Sequence, residues 1–184
     1  MVNGSFVSHR RQNGVNALLA RATRHVRIFP LVALALAALA AAGWWGRRET
    51  ADIAGSAQVI DGDSLIVAGV EIRLYGIDAP EYRQPCFRRG RPWRCGIDAT
   101  RTLRALIAGR TVACRSREED RYGRTVAMCS VDGSDLGAAM VAGGNAVAYG
   151  AYRLEERAAR NAGRGIWSSR FEPPAAWRAK HRNQ

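Results

Sequence analysis

From Ser56 onward the chain is a succession of short apolar runs cut by tight-turn signals, and that pattern leaves few folds open. Ser56–Ile60, Ser64–Val67, Val70–Ile77, Thr111–Arg117 and Thr125–Val131 each read as a strand. The turns between neighbours are Asp61-Gly62, Ala68-Gly69 and the segment Asp120-Arg121-Tyr122-Gly123-Arg124, each with a glycine able to take positive φ. Strands linked this tightly pair antiparallel, because a parallel connection needs about a dozen residues or more. Between the third and fourth runs, Ile97–Ala108 has helical spacing, with Ala99, Leu103, Leu106 and Ile107 on one face and Gly109 as a stop. A second helix is expected from Ser134 as N-cap, carrying Leu136, Ala139 and Met140 inward to Gly143-Gly144, and a third from Arg153 to Ala162. The order βββαββαα predicts an α+β, mainly β fold: a small five-stranded antiparallel barrel with about three helices.

The barrel is preceded by a different kind of segment. Ile28 to Trp45 carries no charge, follows Arg21, Arg24 and Arg27, and is followed by Arg47 and Arg48. At 1.5 Å per residue a helix of this length spans about 27 Å, close to a hydrocarbon core, with Trp44-Trp45 at an interface. Two readings stand: an uncleaved transmembrane anchor, or a signal peptide cut near Ala40-Ala41-Ala42. Both put the rest of the chain outside the cytoplasm by the positive-inside bias. The expected organisation is a basic cytoplasmic tail (1–27), an anchor or signal core (28–45), a linker (46–55), a folded domain (56–170) and a basic C-terminal tail (171–184). The protein is then membrane-bound with its domain on the periplasmic or extracellular side, or secreted if the signal is cleaved.

Cysteine usage agrees with export, since all four cysteines (Cys86, Cys95, Cys114, Cys129) lie in the exported part and none forms a CxxC. Cys114 and Cys129 flank the turn at Asp120–Arg124, and antiparallel strands around it set them opposite each other at a bridgeable separation. Cys86 is then left to pair with Cys95, closing the loop that holds Arg88, Arg89, Arg91 and Arg94. Free or metal-bound thiols are the alternative.

Charge narrows the partners. The chain carries 28 basic and 16 acidic residues, net +12, and every basic residue except Lys180 is arginine. Residues 1–49 hold seven arginines and one acid, so the remaining 21 basic and 15 acidic residues leave +6 on residues 50–184. A basic folded domain points to a polyanion, either nucleic acid or anionic lipid.

Chemistry-bearing residues gather beside turns: Asp61, Asp63, Asp78 and Glu81, with Arg73 and Arg124. Taken singly each has a plain structural reading. Asp61-Gly62-Asp63 is a hairpin turn or part of a metal site, and it is no EF-hand, because Leu65 stands where a third oxygen ligand is needed. Alternation puts Arg73 on the face opposite Ile72 and Leu74. His9, His25 and His181 all lie outside the barrel, which excludes a histidine-metal site or a Ser-His-Asp triad within it.

Together, however, VIDGDS, RLYGIDAPE and DRYGR, in this order and spacing, followed by Gly165-Ile166-Trp167, resemble the staphylococcal-nuclease-like (thermonuclease) family from about Ser56 to Trp167. The resemblance implies a five-stranded OB-type barrel with helices. It also implies calcium-dependent hydrolysis of DNA and RNA at the P–O5′ bond, without sugar preference, leaving 3′-phosphates. Carried over motif by motif, Asp63 and Asp78 would bind calcium through carboxylates and Ala79, where the family often has threonine, through its backbone carbonyl. Glu81 would deprotonate or orient the attacking water, and Arg73 and Arg124 would bind the phosphate. Arg121, Tyr122, Tyr149 and Tyr152 would contact the nucleic acid, while Trp167 would pack. The expected enzyme is a monomer.

That assignment makes physical sense. A phosphodiester is anionic and resists hydroxide, so its hydrolysis needs the phosphoryl oxygens neutralised and a water held in line. A hard cation on oxygen ligands with two guanidinium forks does the first, and a nearby carboxylate the second. Two rival readings are a non-catalytic OB-fold module that holds single-stranded nucleic acid, and an envelope protein whose arginines meet anionic lipid.

Overall fold

The computed structural model describes residues 52–181 together with Ala33; the basic tail, the rest of the apolar segment 28–45 and the linker up to residue 51 lie outside the described residues. Among the described residues no helix is long and apolar enough to cross a membrane.

The first expected strand is in fact two. β1 (Ile53–Gly55) and β2 (Ala57–Val59) are separated by Ser56 alone. β3 (Ser64–Val67) and β4 (Val70–Leu74) follow, joined by Ala68-Gly69 with φ of 49° and 85°, the doubly left-handed turn that matches the strand twist. β5 (Ile77–Asp78) then breaks away, because Gly76 at φ 76° turns the chain before the expected strand is finished. Inside the Cys86–Cys95 loop lies a hairpin absent from the sequence reading, β6 (Cys86–Arg88) and β7 (Arg91–Trp93), turning at Arg89-Gly90. Its charges and Pro92 hide the alternation that marks a strand.

Helix α1 (Cys95–Ile107) buries Ala99, Leu103 and Ile107 at four-residue spacing and stops at Ala108, one residue before the expected Gly109, in a left-handed conformation. β8 (Val112–Glu119) and β9 (Thr125–Val131) form the expected hairpin, with Cys114 directly opposite Cys129 and a bulge between Ser116 and Glu118. After β10 (Ser134–Asp135), helix α2 (Leu136–Ala142) is capped by Asp135, whose carboxylate accepts from the Ala138 amide, rather than by Ser134. β11 (Val147–Ala148) pairs with β5, and α3 (Arg153–Asn161) starts where expected. A 3-10 turn (Gly165–Ser168) leads to α4 (Pro174–Lys180). The stretch read from sequence as a basic tail therefore contains a helix opened by a proline in its first turn, a favourable position for that residue.

The main sheet runs β1-β8-β9-β4-β3-β2, with β4 and β9 parallel and the other neighbours antiparallel. Its two ends are β1 and β2, which are consecutive in the chain, so the sheet curls back toward itself and the bend at Gly55-Ser56 joins its edges. A Cβ on Gly55 would lie 3.1 Å from that of Ala68, which explains the small residue at the bend. Five chain segments thus make the path of the curled sheet, the first bent in the middle, with β10 added beside β9. The parallel β4–β9 pair departs from the expected wholly antiparallel barrel, because α1 and β8 lie between the two strands in the chain and let the second return in the same direction.

Inside it Leu65, Val67, Ile72, Leu74, Leu103, Val112, Leu136 and Met140 form one buried core. Each such side chain contributes about 1.5–3 kcal/mol when fully buried. A second cluster, Cys86, Cys95 and Ile166 with Trp93, Trp167 and Phe171 packed on it, secures the β6–β7 hairpin to the C-terminal part of the chain. Trp167 is thus a packing residue, its ring edge-on to Phe171 at 5.1 Å. Both bridges, Cys86–Cys95 and Cys114–Cys129, are formed, and no described cysteine is free.

A candidate active-site cleft

Asp63 leaves the β2–β3 turn as a buried carboxylate with several partners. Asp61 accepts the Asp63 amide at 3.0 Å and so shapes the turn. Gly62 lets the turn sit tight, since a Cβ there would lie 2.7 Å from Ala79 Cβ and 2.9 Å from Ala99 Cβ. The result is a residue 4% exposed whose carboxylate accepts from the Ala79 amide (3.0 Å), the Ser64 hydroxyl (3.1 Å) and Arg73 Nη1 (3.4 Å) and forms an ion pair with Arg73 Nη2 at 3.2 Å. Burial pushes its pKa up to about 7, and the nearby Asp61 adds to the rise that Arg73 opposes. One guanidinium therefore does not fully offset the cost of ionising this buried acid.

The break after β4 brings Asp78 to the same place. Because β5 pairs with β11 instead of continuing the sheet, Asp78 lies buried beside Arg73, whose Nη2 is 2.9 Å from its carboxylate. The same Nη2 atom bonds Asp63 and Asp78, so Arg73 bridges the pair. Far from being a solvated arginine of an outer face, it lies between two buried acids.

Glu81 follows Pro80 in a loop held from two sides. Its amide donates to Gln84 Oε1 at 3.2 Å, and its carbonyl accepts from the Gln84 amide at 2.8 Å. Beneath it runs the first turn of α1, where Gly96 approaches so closely that a Cβ would lie 1.8 Å from the Glu81 oxygen.

The β8–β9 loop delivers the second expected arginine. Asp120 accepts from the amides of Tyr122 and Arg124 and from Arg124 Nε at 2.9 Å, closing the loop around Gly123 at φ 78°. Burial tends to raise the Asp120 pKa, but the Arg124 amide and guanidinium and the Tyr122 amide outweigh it and hold the carboxyl below its ordinary value. Arg121 and Arg124 flank the exposed Tyr122 ring at 4.9 and 5.6 Å from its centroid.

These elements line one cleft of about 870 Å³, with Asp61, Asp63, Arg73, Asp78, Glu81, Arg121, Tyr122, Arg124 and Tyr149 on its walls. Tyr149 is exposed there. Tyr152 is not among the lining residues: its hydroxyl donates to Asp135 at 2.8 Å, and its ring fills the space left by Gly76 and Gly137. Burial and the Asp135 carboxylate push its phenol far above the usual range. It thus braces the cap of α2, which is why a tyrosine near the site in sequence does not face it in space. Of the basic hairpin, Arg88 packs on Trp93 at 4.4 Å and bonds Ser168.

The cleft also contains a residue that the sequence reading did not select. Arg178, from α4, donates from Nη2 to Asp78 at 3.1 Å and from Nη1 to Glu81 at 2.8 Å, and its Nη1 forms a further ion pair with Asp78 at 2.8 Å. The sequence showed this stretch only as a basic tail, and nothing local assigns Arg178 a partner roughly a hundred residues away.

For a metal, the available side chains are carboxylates. Among the described residues no group of three or more His, Cys, Asp or Glu could hold an ion. Asp63 and Asp78 supply oxygen donors of the kind a hard cation prefers. Two carboxylates leave most of a coordination shell to main-chain oxygen, water and substrate, so the residues fit a weakly held, substrate-sharing cation. Chemically, the cleft combines buried acids with guanidinium forks, the equipment for gripping an anionic oxygen and holding a water beside it.

Comparison with known proteins agrees with this chemistry. The sequence model of the family described as staphylococcal nuclease homologue matches residues 71–169. The chain is 37% identical over 140 residues to the succinoglycan biosynthesis protein ExoI of Rhizobium meliloti (strain 1021), covering 72% of this chain and 73% of that one. It is 35% identical over 144 residues to an uncharacterized endonuclease of Escherichia coli O157:H7, covering 72% and 88%. With the probable staphylococcal-like nuclease CAN1 of Oryza sativa subsp. japonica it shares 34% over 129 residues, 66% of this chain and 36% of that protein.

Proposed function

Because the chain belongs to the staphylococcal nuclease homologue family and is a phosphodiester hydrolase, we propose that it is a calcium-dependent, sugar-nonspecific nuclease. It cuts DNA and RNA at the P–O5′ bond, leaves 3′-phosphates, and works outside the cytoplasm. The observation that carries the reading is the convergence of Asp63, Asp78, Glu81, Arg73 and Arg124 on one cleft.

In this mechanism Asp63 and Asp78 would hold the calcium through their carboxylates and Ala79 through its main-chain oxygen. When bound, the cation supplies charge neutralisation at the phosphoryl oxygens and favours deprotonation of water. Arg73 and Arg124 exchange part of their carboxylate contacts for the scissile phosphate. Their planar forks match its oxygens and grip it more strongly as charge develops in the transition state. Glu81 holds the attacking water in line and takes its proton. Tyr122 and Tyr149, both exposed at the cleft, stack on or flank bases, and Arg121 meets a neighbouring phosphate. None of these contacts reads a base edge, which suits an enzyme without sequence preference.

The apolar segment 28–45 and the two disulfides support an exported enzyme, bound to the membrane if the segment is uncleaved and secreted if it is removed. The reading is tested on end-labelled single-stranded DNA, in calcium and then in excess chelator, with the product ends identified. Cleavage that stops with chelator and leaves 3′-phosphates is expected. Glu81→Gln is expected to lower turnover at least about 10²-fold while strand binding is kept. DNA that is retained by the protein but survives intact in calcium would instead favour the OB-fold binding module.

A further inference from the structure

We propose that Arg178 is a positioning residue of the hydrolytic reaction, acting from α4 through Glu81, so that the C-terminal segment 170–180 is a working part of the active site. The inference rests on the role given to Glu81 above.

Three separate links tie the Glu81 loop to this segment. Phe87 and Arg170 exchange main-chain hydrogen bonds of 2.8 and 2.9 Å. Gln84, wholly buried, accepts the Glu81 amide with one end of its side chain and donates to the Glu172 carbonyl at 2.6 Å with the other. Arg178 then closes the arrangement at the functional end, its guanidinium spanning Glu81 and Asp78.

Only the third link touches chemistry. Among the described residues, the Glu81 carboxylate accepts hydrogen bonds from Arg178 alone, while Arg73 bonds Asp63 and Asp78, and Arg124 bonds Asp120. The Glu81 side chain is 30% exposed and has several rotatable bonds. Left alone it would sample positions from which a water cannot be held in line with phosphorus, and about 1 Å of misplacement costs on the order of 10²-fold in rate. A two-carboxylate contact from a planar fork fixes its direction as well as its distance. The Gln84 and Phe87 links set the loop backbone, and Arg178 sets the carboxylate.

The test uses the full-length chain in mild detergent and steady-state cleavage of a labelled single strand. Arg178→Ala is expected to lower kcat about 10²-fold with KM and strand affinity in chelator within about threefold of the native values. Arg178→Lys should recover part of the loss, and millimolar guanidinium should restore turnover to Arg178→Ala but not to Glu81→Gln. Should the alanine variant not fold, Arg178→Gln, which keeps length and polarity, takes its place in the same assays. Turnover at or above native level in a folded Arg178 variant would overturn the proposal and make the contact neutral or inhibitory. A loss carried wholly by KM would overturn it in favour of direct substrate binding. If the native chain cleaves and the variants do not differ from it, only this inference fails; if the native chain cleaves nothing, the nuclease reading fails and this inference with it.

Discussion

Replacing Gly96 by alanine adds one uncharged methyl group at the point where α1 supports the Glu81 loop. Gly96 lies in the first turn of a helix and has no left-handed φ, so alanine is conformationally acceptable there and would on propensity alone stabilise the helix by about 1 kcal/mol. Space decides otherwise. The new Cβ would lie 1.8 Å from the Glu81 oxygen, 2.5 Å from its carbon and 3.0 Å from the Pro80 oxygen, all of them main-chain atoms that cannot rotate away. A carbon–oxygen contact of about 3.3 Å requires the two backbones to part by roughly 1.5 Å. Helix α1 cannot supply that movement, because Cys95 is bridged to Cys86 and Ala99, Leu103 and Ile107 are locked in the core. The Glu81 loop must therefore move. Overpacking costs about 1–3 kcal/mol, partly offset by the helical gain, so the variant should fold with a modestly lowered melting temperature. Turnover should fall about 10²-fold or more, since Glu81 is displaced by more than the roughly 1 Å that already costs this much. Single-turnover cleavage beside a thermal melt measures both. A folded Gly96→Ala protein with turnover within threefold of native would refute the reasoning, because the loop would then have moved without consequence for the water it holds.

Other expectations follow from the same geometry. Replacing both Cys114 and Cys129 by alanine opens a bridge of sequence separation 15 and should cost about 3 kcal/mol by loop entropy, read as a lower urea midpoint; an unchanged midpoint would remove that bridge from the stability of the sheet. Tyr152→Phe removes one charge-assisted hydrogen bond from the Asp135 carboxylate, which still accepts the Ala138 amide, and should destabilise by about 1.5 kcal/mol while turnover is kept; lost turnover at native stability would return Tyr152 to the substrate-binding set. In chelator, Asp63 contributes a pH dependence whose sign is unusual for a carboxylate. Its folded pKa of about 7 lies above the unfolded value near 4, so the folded state binds the proton more tightly. Stability is full below about pH 4 and is lost as pH rises through about 7, by at most about 1.4 kcal/mol per unit. Denaturant melts at pH 5 and pH 8 should show the fall in the native protein and a flatter response in Asp63→Asn; equal slopes would assign the effect to other groups.

Local pattern alone was enough for the main strands of the curled sheet, the turns between them and the core faces of α1 and α2, because each depends on neighbours a few residues away, whereas the short β6–β7 hairpin and α4 escaped it. Ala68-Gly69 needs only the strand twist to be a two-residue turn, and Leu103 finds the core because Ala99 and Ile107 share its face. The Cys114–Cys129 bridge was legible for the same reason, since hairpin symmetry about Arg121-Tyr122 sets the two residues opposite each other. The motifs that hold Asp63, Arg73, Asp78, Glu81 and Arg124 pointed, through their family resemblance, to five residues that share the cleft. Where competition between distant groups decided, pattern was silent. Ser56 bends the first strand so that the sheet can curl and join its edges, a gain that exists only once β3 and β8 are both in place. Tyr152 turned inward because Asp135 offered its hydroxyl a charged acceptor at the start of α2. Arg178 reached the site because the hydrogen bonds from Gln84 to Glu172 and between Phe87 and Arg170 carry α4 across to Glu81. Ion pairing between groups so far apart in the chain leaves no periodic trace, and only the closed tertiary structure brings an arginine from the C-terminal segment onto the carboxylates of the cleft.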